Sequence, residues 1–107
     1  MSTITIVNYI TSTGKVPFTL WLEELDANTK AIIRVRLGRV RLGNFGDCKP
    51  LKGIQGLWEL RIDYGPGYRI YFGKKGTTII IVLIGGSKRS QERDIEKATK
   101  YWLDCKE

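Results

Sequence analysis

The first 42 residues of the chain predict one strand followed by two helices. Residues 4–10 are rich in β-branched side chains, which is typical of a strand. Pro17 suits the first turn of a helix. Apolar residues then recur at the spacing of one helical face, at Phe18, Trp21, Leu22 and Leu25. A second helix is predicted over residues 29–42, with its core face formed by Ile33, Leu37 and Val40.

The middle of the chain predicts a loop followed by a β-meander. Glycine and proline punctuate residues 43–56, which we expect to form a long loop. Three strands are predicted after it, at residues 57–64, 68–74 and 77–84. Their connections are short, which favours antiparallel pairing. The third strand is apolar throughout, as expected of a central strand that is covered on both faces.

The alternation of side chains predicts which face of the sheet is polar. Trp58, Leu60, Ile62 and Tyr64 point one way, and Glu59, Arg61 and Asp63 point the other. A three-residue loop at residues 65–67 would preserve this division in the next strand. That loop would pair Ile62 with Ile70, Asp63 with Arg69, and Arg61 with Tyr71.

The C-terminal segment predicts one more helix. We expect Gly85 and Gly86 to end the sheet and Ser90 to cap the helix. The buried stripe of this helix is then Ile95, Ala98, Trp102 and Cys105. The predicted fold class is therefore α+β, a single domain over residues 1–107. Its antiparallel sheet would join the N-terminal strand to the three-stranded meander, with two N-terminal helices and one C-terminal helix.

Charge and composition narrow the possible functions. The net charge of +7 favours acidic partners, and RNA above all. The chain has no histidine, so catalysis would have to use lysine, arginine, tyrosine or a carboxylate. Two cysteines at unrelated positions predict neither a metal site nor a disulfide framework. The N-terminus has neither a basic region nor a long apolar stretch, so we expect no signal peptide. No apolar run is long enough to span a membrane, and we expect a cytoplasmic protein without a cofactor.

Basic residues converge on the polar face of the predicted sheet. They could line a groove for a phosphate backbone, formed by Lys49, Lys52, Arg61, Arg69, Tyr71, Lys88 and Arg89. Two interpretations stay open for several of them. Arg36 and Arg39 on the second helix would either contact nucleic acid or belong to a solvated face. Arg69 would form an ion pair with Asp63 or bind phosphate. Tyr71 would stack on a base, orient a phosphate, or be an ordinary half-exposed strand residue.

Four runs of the sequence resemble the RelE/ParE toxin superfamily. They are KPLKG at 49–53, GLWELRI at 56–62, GPGYRIY at 65–71 and LIGGSK at 83–88. The resemblance is greatest to the HigB-like branch, described as addiction module killer proteins. It implies a RelE/ParE-like fold and the toxin half of a bacterial type II toxin–antitoxin pair. Many members cleave mRNA on the ribosome without a metal, by attack of the ribose 2′-hydroxyl.

The resemblance also implies roles for particular residues. Arg61 would stabilise the transition state together with Arg69, and Lys52 or Lys88 would assist proton transfer. The RNA would be held by Lys49, Tyr71, Arg89, Arg36 and Arg39. Some nucleases of the superfamily carry a C-terminal tyrosine or histidine as general base, and this chain has Gln91 and Arg93 in that region.

The same resemblance leaves two other activities open. One is a ParE-like toxin that poisons DNA gyrase without cleaving RNA. The other is a degenerate toxin that only binds its antitoxin. Each implies an antitoxin partner encoded by an adjacent gene, usually a helix-turn-helix protein. The nuclease interpretation adds the ribosome and mRNA as partners.

Overall fold

The computed structural model describes residues 3–106, which form a mixed five-stranded sheet and three α-helices. The elements are β1 (Thr5–Asn8), α1 (Pro17–Glu23), α2 (Ala27–Arg41), β2 (Cys48–Pro50), β3 (Leu57–Ile62), β4 (Tyr68–Lys75), β5 (Ile79–Ser87) and α3 (Gln91–Lys106). A short 3-10 turn, Lys88–Ser90, joins β5 to α3. Within the described residues, no helix is long and apolar enough to cross a membrane. The α+β class predicted from the sequence is confirmed.

The sheet is mixed, and the prediction of an entirely antiparallel sheet was wrong. Its strand order is β1-β5-β4-β3-β2. β1 pairs with β5 in parallel, while the remaining neighbours are antiparallel. The segment between β1 and β5 contains two helices and three strands, which is enough chain to return β5 in the same direction as β1. The meander itself has the predicted antiparallel order.

The sheet also extends further than predicted at both β2 and β5. Residues 48–50 pair with β3 as an edge strand, although they were predicted to be loop. An edge strand that is short and ends in Pro50 gives little signal in the sequence. At the other side, Gly85 and Gly86 lie inside β5 and pair with Ile70 and Arg69. A side chain at Gly85 would collide with the Trp21 ring. This glycine is therefore explained by close packing inside the strand, and it does not mark the end of the strand.

The hairpin between β3 and β4 has a different register from the predicted one. Leu60 pairs with Ile70, and Ile62 pairs with Tyr68. The connection therefore spans residues 63–67 and is longer than the predicted three-residue loop. Because the register moves by two residues, every side chain keeps its predicted face. The predicted Asp63–Arg69 and Arg61–Tyr71 pairs do not form, and Arg61 instead lies opposite Arg69.

Helices cover both faces of the sheet. α1 and α2 pack on one face, where the buried residues include Phe18, Ile33, Val40, Leu60 and Phe72. α3 packs on the other face through its predicted apolar stripe, and the buried residues there include Leu57, Tyr71, Leu83, Ala98 and Trp102. Part of the predicted polar face is thus core. All three tryptophans pack into these two clusters, as predicted.

Ser90, the predicted cap of the last helix, is the final residue of the 3-10 turn and directly precedes α3. Its hydroxyl donates a hydrogen bond to the carboxylate of Asp94, which is buried beside Gly86. This contact ties the first turn of α3 to the end of β5. It places Gln91 over the polar part of the sheet.

Candidate functional site

A buried carboxylate lies at the centre of the polar sheet face. Glu59 has no exposed surface, and it accepts three hydrogen bonds. Its Oε1 accepts from Arg61 Nε at 3.1 Å and from Arg69 Nη1 at 3.0 Å. Its Oε2 accepts from Gln91 Nε2 at 2.9 Å. We call these four residues the arginine cluster.

The local structure explains why these side chains meet. Glu59 and Arg61 are two residues apart on β3, so they point to the same face. Arg69 lies directly opposite Arg61 on β4 and shares that face. Gln91 is the first residue of α3, which crosses this face of the sheet. Three elements that are distant in sequence therefore contribute to one cluster.

The surroundings of Glu59 keep it ionised. Burial raises the pKa of this carboxyl. The hydrogen bonds from Gln91 and Arg61, together with the charge on Arg69, lower the pKa by more than burial raises it. The net result is a pKa below the ordinary value for glutamate. One carboxylate then faces two guanidinium cations, so the cluster retains positive charge at neutral pH.

The two arginines differ in their access to solvent. The side chain of Arg61 is 36% exposed, whereas that of Arg69 is 12% exposed. Arg61 can therefore offer its free N–H groups to an anion while Glu59 fixes its Nε. Arg69 lies deeper and lends its charge from within the sheet. Of the predicted catalytic residues, these two are the ones that the structure brings together, through their shared contact with Glu59 Oε1.

The predicted lysines flank the arginine cluster on two sides. Lys49 on β2 lies opposite Glu59 in the strand register, and its side chain is exposed. Lys52 follows in the exposed loop. Lys88 and Arg89 are exposed in the turn after β5. The backbone N–H of Lys88 donates to the carbonyl of Gly67 at 2.8 Å, which fixes this turn against the β3–β4 hairpin. Lys49 thus lies next to Glu59, whereas Lys52 follows Leu51, whose backbone N–H donates to the carbonyl of Leu57, on the side of Glu59 away from Arg61. None of these four basic residues forms an ion pair with the cluster among the described residues.

Tyr71 is a core residue, and the prediction of a base-stacking role for it was wrong. It has no exposed surface, so a base cannot stack on its ring. Burial is the main cause that raises the pKa of Tyr71 well above its ordinary value, and the charge of Glu59 is the second cause. Its hydroxyl lies near Glu59 but makes no hydrogen bond of standard geometry within the described residues. It therefore stays protonated and shielded from solvent.

Arg36 and Arg39 lie in a separate groove on the other face of the sheet. This groove, which we call the α2 groove, has a volume of about 660 Å³. It is lined by Ala31, Ile32, Val35, Arg36, Arg39, Asn44, Gly46, Asp47 and residues 61–64. Arg61 belongs to both the groove and the arginine cluster. The other cations of α2, which are Lys30, Arg34 and Arg41, do not line it.

Sequence reasoning missed the structural importance of Glu59 and Gln91. A glutamate inside an otherwise apolar strand, two residues before an arginine, was the available signal for Glu59. Gln91 gave none, because only the packing of α3 brings it to the sheet. Among the residues that the structure describes, no cluster of acidic residues and cysteines could hold a metal ion.

Comparison with known proteins identifies relatives across most of the chain. The family Phage derived protein Gp49-like (DUF891) matches residues 20–102. An uncharacterized protein of Haemophilus influenzae is 43% identical over 82 residues, which cover 76% of this chain and 81% of that protein. The matched region contains the arginine cluster, the α2 groove and the basic turn after β5. The chain therefore belongs to the Gp49-like family, a RelE/ParE-like toxin family of toxin–antitoxin systems with antitoxin partners.

Proposed function

We propose that this protein is a HigB-like type II toxin that cleaves mRNA on the ribosome. One observation carries the proposal, which is the pair of arginines held by the buried carboxylate of Glu59. A preorganised cation stabilises a developing charge without the cost of reorganisation during the reaction. The proposal includes a single RelE/ParE-like domain that acts in the cytoplasm, where it meets ribosomes.

The proposed reaction is a transfer within the RNA chain. The ribose 2′-oxygen attacks the adjacent phosphorus, and the bond from phosphorus to the next 5′-oxygen breaks. The 2′-hydroxyl loses a proton and the departing 5′-oxygen gains one, which leaves a cyclic phosphate. Negative charge accumulates on the phosphorane oxygens in between. Arg61, the more exposed arginine, would donate hydrogen bonds to them.

The remaining cations would bind the substrate. Arg69, the more buried arginine, adds positive charge to the site. Lys49 and Arg89 contact the RNA backbone from either side of the arginine cluster. Lys52 or Lys88 would assist proton transfer, since both are exposed cations. The ribosome would align the 2′-hydroxyl with the phosphate. Arg36 and Arg39 would reach RNA only beyond Arg61, along the α2 groove.

Translation with purified ribosomes tests this proposal. The wild-type protein should yield cut mRNA, and Arg61→Ala should lower the cleavage rate by about 10²–10³-fold. Arg69→Ala should also lower it. Lys75→Ala is a matched control, because Lys75 is an exposed cation at the far end of β4. Intact mRNA with the wild-type protein would refute the nuclease proposal.

A gyrase-poisoning toxin without nuclease activity is the second candidate. The presence of Gln91 and Arg93 favours it, because some nucleases of the superfamily carry a tyrosine or histidine base in that region. The activity would then consist of binding, with the basic surface docked on a protein–DNA complex. Gyrase-dependent DNA breaks in cells that express the chain, with translation unaffected, would support this candidate. Blocked translation with intact DNA would exclude it.

A further inference from the structure

The α2 groove combines apolar and cationic surface in a way that suits a protein segment. Val35 is 58% exposed and Tyr64 is 38% exposed, and both line the groove together with Ile32. An exposed apolar surface of this kind gains free energy when a partner covers it. A nucleic-acid backbone would contact the arginines but would leave this apolar surface in water.

The charges of the groove indicate an acidic partner. Three arginines, Arg36, Arg39 and Arg61, line it together with two aspartates, Asp47 and Asp63, so positive charge exceeds negative charge by one, and α2 contains no acidic residue. Within residues 3–106, neither Arg36 nor Arg39 forms a salt bridge, and Arg36 donates only a 3.4 Å hydrogen bond to the carbonyl of Asp47. Burial lowers the pKa of Arg36, which reflects the unfavourable desolvation of its charge. A carboxylate in the groove would offset that cost.

We propose that the α2 groove is the docking site for an acidic, amphipathic segment of the antitoxin. Apolar side chains of the segment cover Val35 and Ile32, and its carboxylates pair with Arg36 and Arg39. The proposal rests on the toxin assignment above, which supplies the antitoxin as partner. It goes beyond that assignment by naming the surface and the chemistry of the segment.

The position of Arg61 links this docking site to the toxic activity. Arg61 is one of the residues that line the groove, although its side chain points to the α3 face of the sheet, where Glu59 accepts a hydrogen bond from its Nε. A carboxylate of the segment that extends from the groove to this partly exposed side chain neutralises the more exposed cation of the arginine cluster. The antitoxin can therefore inhibit the toxin without covering the lysines on either side.

The test is the affinity of toxin variants for the purified product of the adjacent antitoxin gene, measured by calorimetry. Arg39→Glu and Val35→Asp each place a negative charge in the groove, and each should weaken binding at least tenfold. Arg34→Glu is the control for Arg39→Glu, because Arg34 is exposed on the same helix but outside the groove. Leu103→Asp is the control for Val35→Asp, because Leu103 is 54% exposed on α3. Both controls should bind within about twofold of the wild type.

Further readouts separate this proposal from the nuclease proposal. Thermal unfolding checks that each variant folds. A fluorescent single-stranded RNA 12-mer measures nucleic-acid binding by the same variants. In cells, Val35→Asp should stay toxic while escaping the antitoxin. Loss of RNA affinity with unchanged antitoxin affinity would assign the groove to nucleic acid and overturn the proposal. Wild-type antitoxin affinity in both groove variants would overturn it as well, whatever the cleavage assay shows.

Discussion

Replacing Glu59 by glutamine removes one negative charge from the arginine cluster and keeps the shape of the side chain. The amide oxygen of the glutamine could still accept from Arg61 and Arg69. Its NH₂ group would face the NH₂ group of Gln91, unless the Gln91 amide turns over to present its oxygen. The substitution therefore leaves hydrogen bonding possible and isolates the effect of the charge.

The structure limits the expected size of this effect. Losing one partner of a fully buried ion pair costs about 3–5 kcal/mol. Here the side chains of Arg61 and Arg69 are 36% and 12% exposed, so water can partly solvate them after the substitution. The loss of charge-assisted hydrogen bonds costs about 1.5–3 kcal/mol. We expect a loss of about 2 kcal/mol and, for a chain of this size, a Tm lower by roughly 8–10 °C at pH 7.

The dependence on pH provides a second, independent check. The pKa of Glu59 is lower in the folded chain than its ordinary value of 4.5. Its stabilising contribution is therefore fully present above pH 4.5 and is lost as the pH falls through the lower folded value. The difference in Tm between the wild type and Glu59→Gln should shrink over that range. The difference should reappear when the sample is returned to pH 7.

Calorimetric unfolding between pH 7 and pH 3 measures both effects. Glu96→Gln is the matched control, because Glu96 is an exposed glutamate on α3, outside the arginine cluster. It should change the Tm little at any pH. An unchanged Tm for Glu59→Gln at pH 7 would refute the argument. So would a loss of the same size at pH 3 as at pH 7, because that loss could not arise from the carboxylate charge.

Other substitutions test the surroundings of the site. Tyr71→Phe removes a buried hydroxyl that lacks a standard hydrogen bond among the described residues. It should change the unfolding free energy by less than about 1 kcal/mol and leave mRNA cleavage intact, and loss of cleavage would instead make Tyr71 a proton donor. Gly85→Ala pushes a methyl group into the Trp21 ring, and urea unfolding should show a loss of about 1–3 kcal/mol. Trp102→Ala empties the core under α3 and removes the 2.9 Å hydrogen bond to Gln55, and the same measurement should show a loss of about 3–5 kcal/mol.

The local pattern of residues was sufficient to assign most elements and the faces of the meander. Alternation with a period of two placed Glu59 and Arg61 on the same side of the sheet, and the structure agrees. The helical spacing of α1, α2 and α3 predicted which sides face the core. These features depend on neighbours a few residues apart, so the sequence specifies them directly.

The partners of the site residues depended on the tertiary structure. A shift of register by two residues leaves every face unchanged, so the pattern could not distinguish Asp63 from Glu59 as the partner of Arg69. The parallel pairing of β1 with β5 leaves no signal in the local sequence. Neither does the packing of α3 over part of the polar face. Only the packing of α3 against the sheet buries Tyr71 and brings Gln91 to Glu59. The sequence by itself thus determined which residues are charged and which way they point, and the contacts between distant segments decided which of them meet.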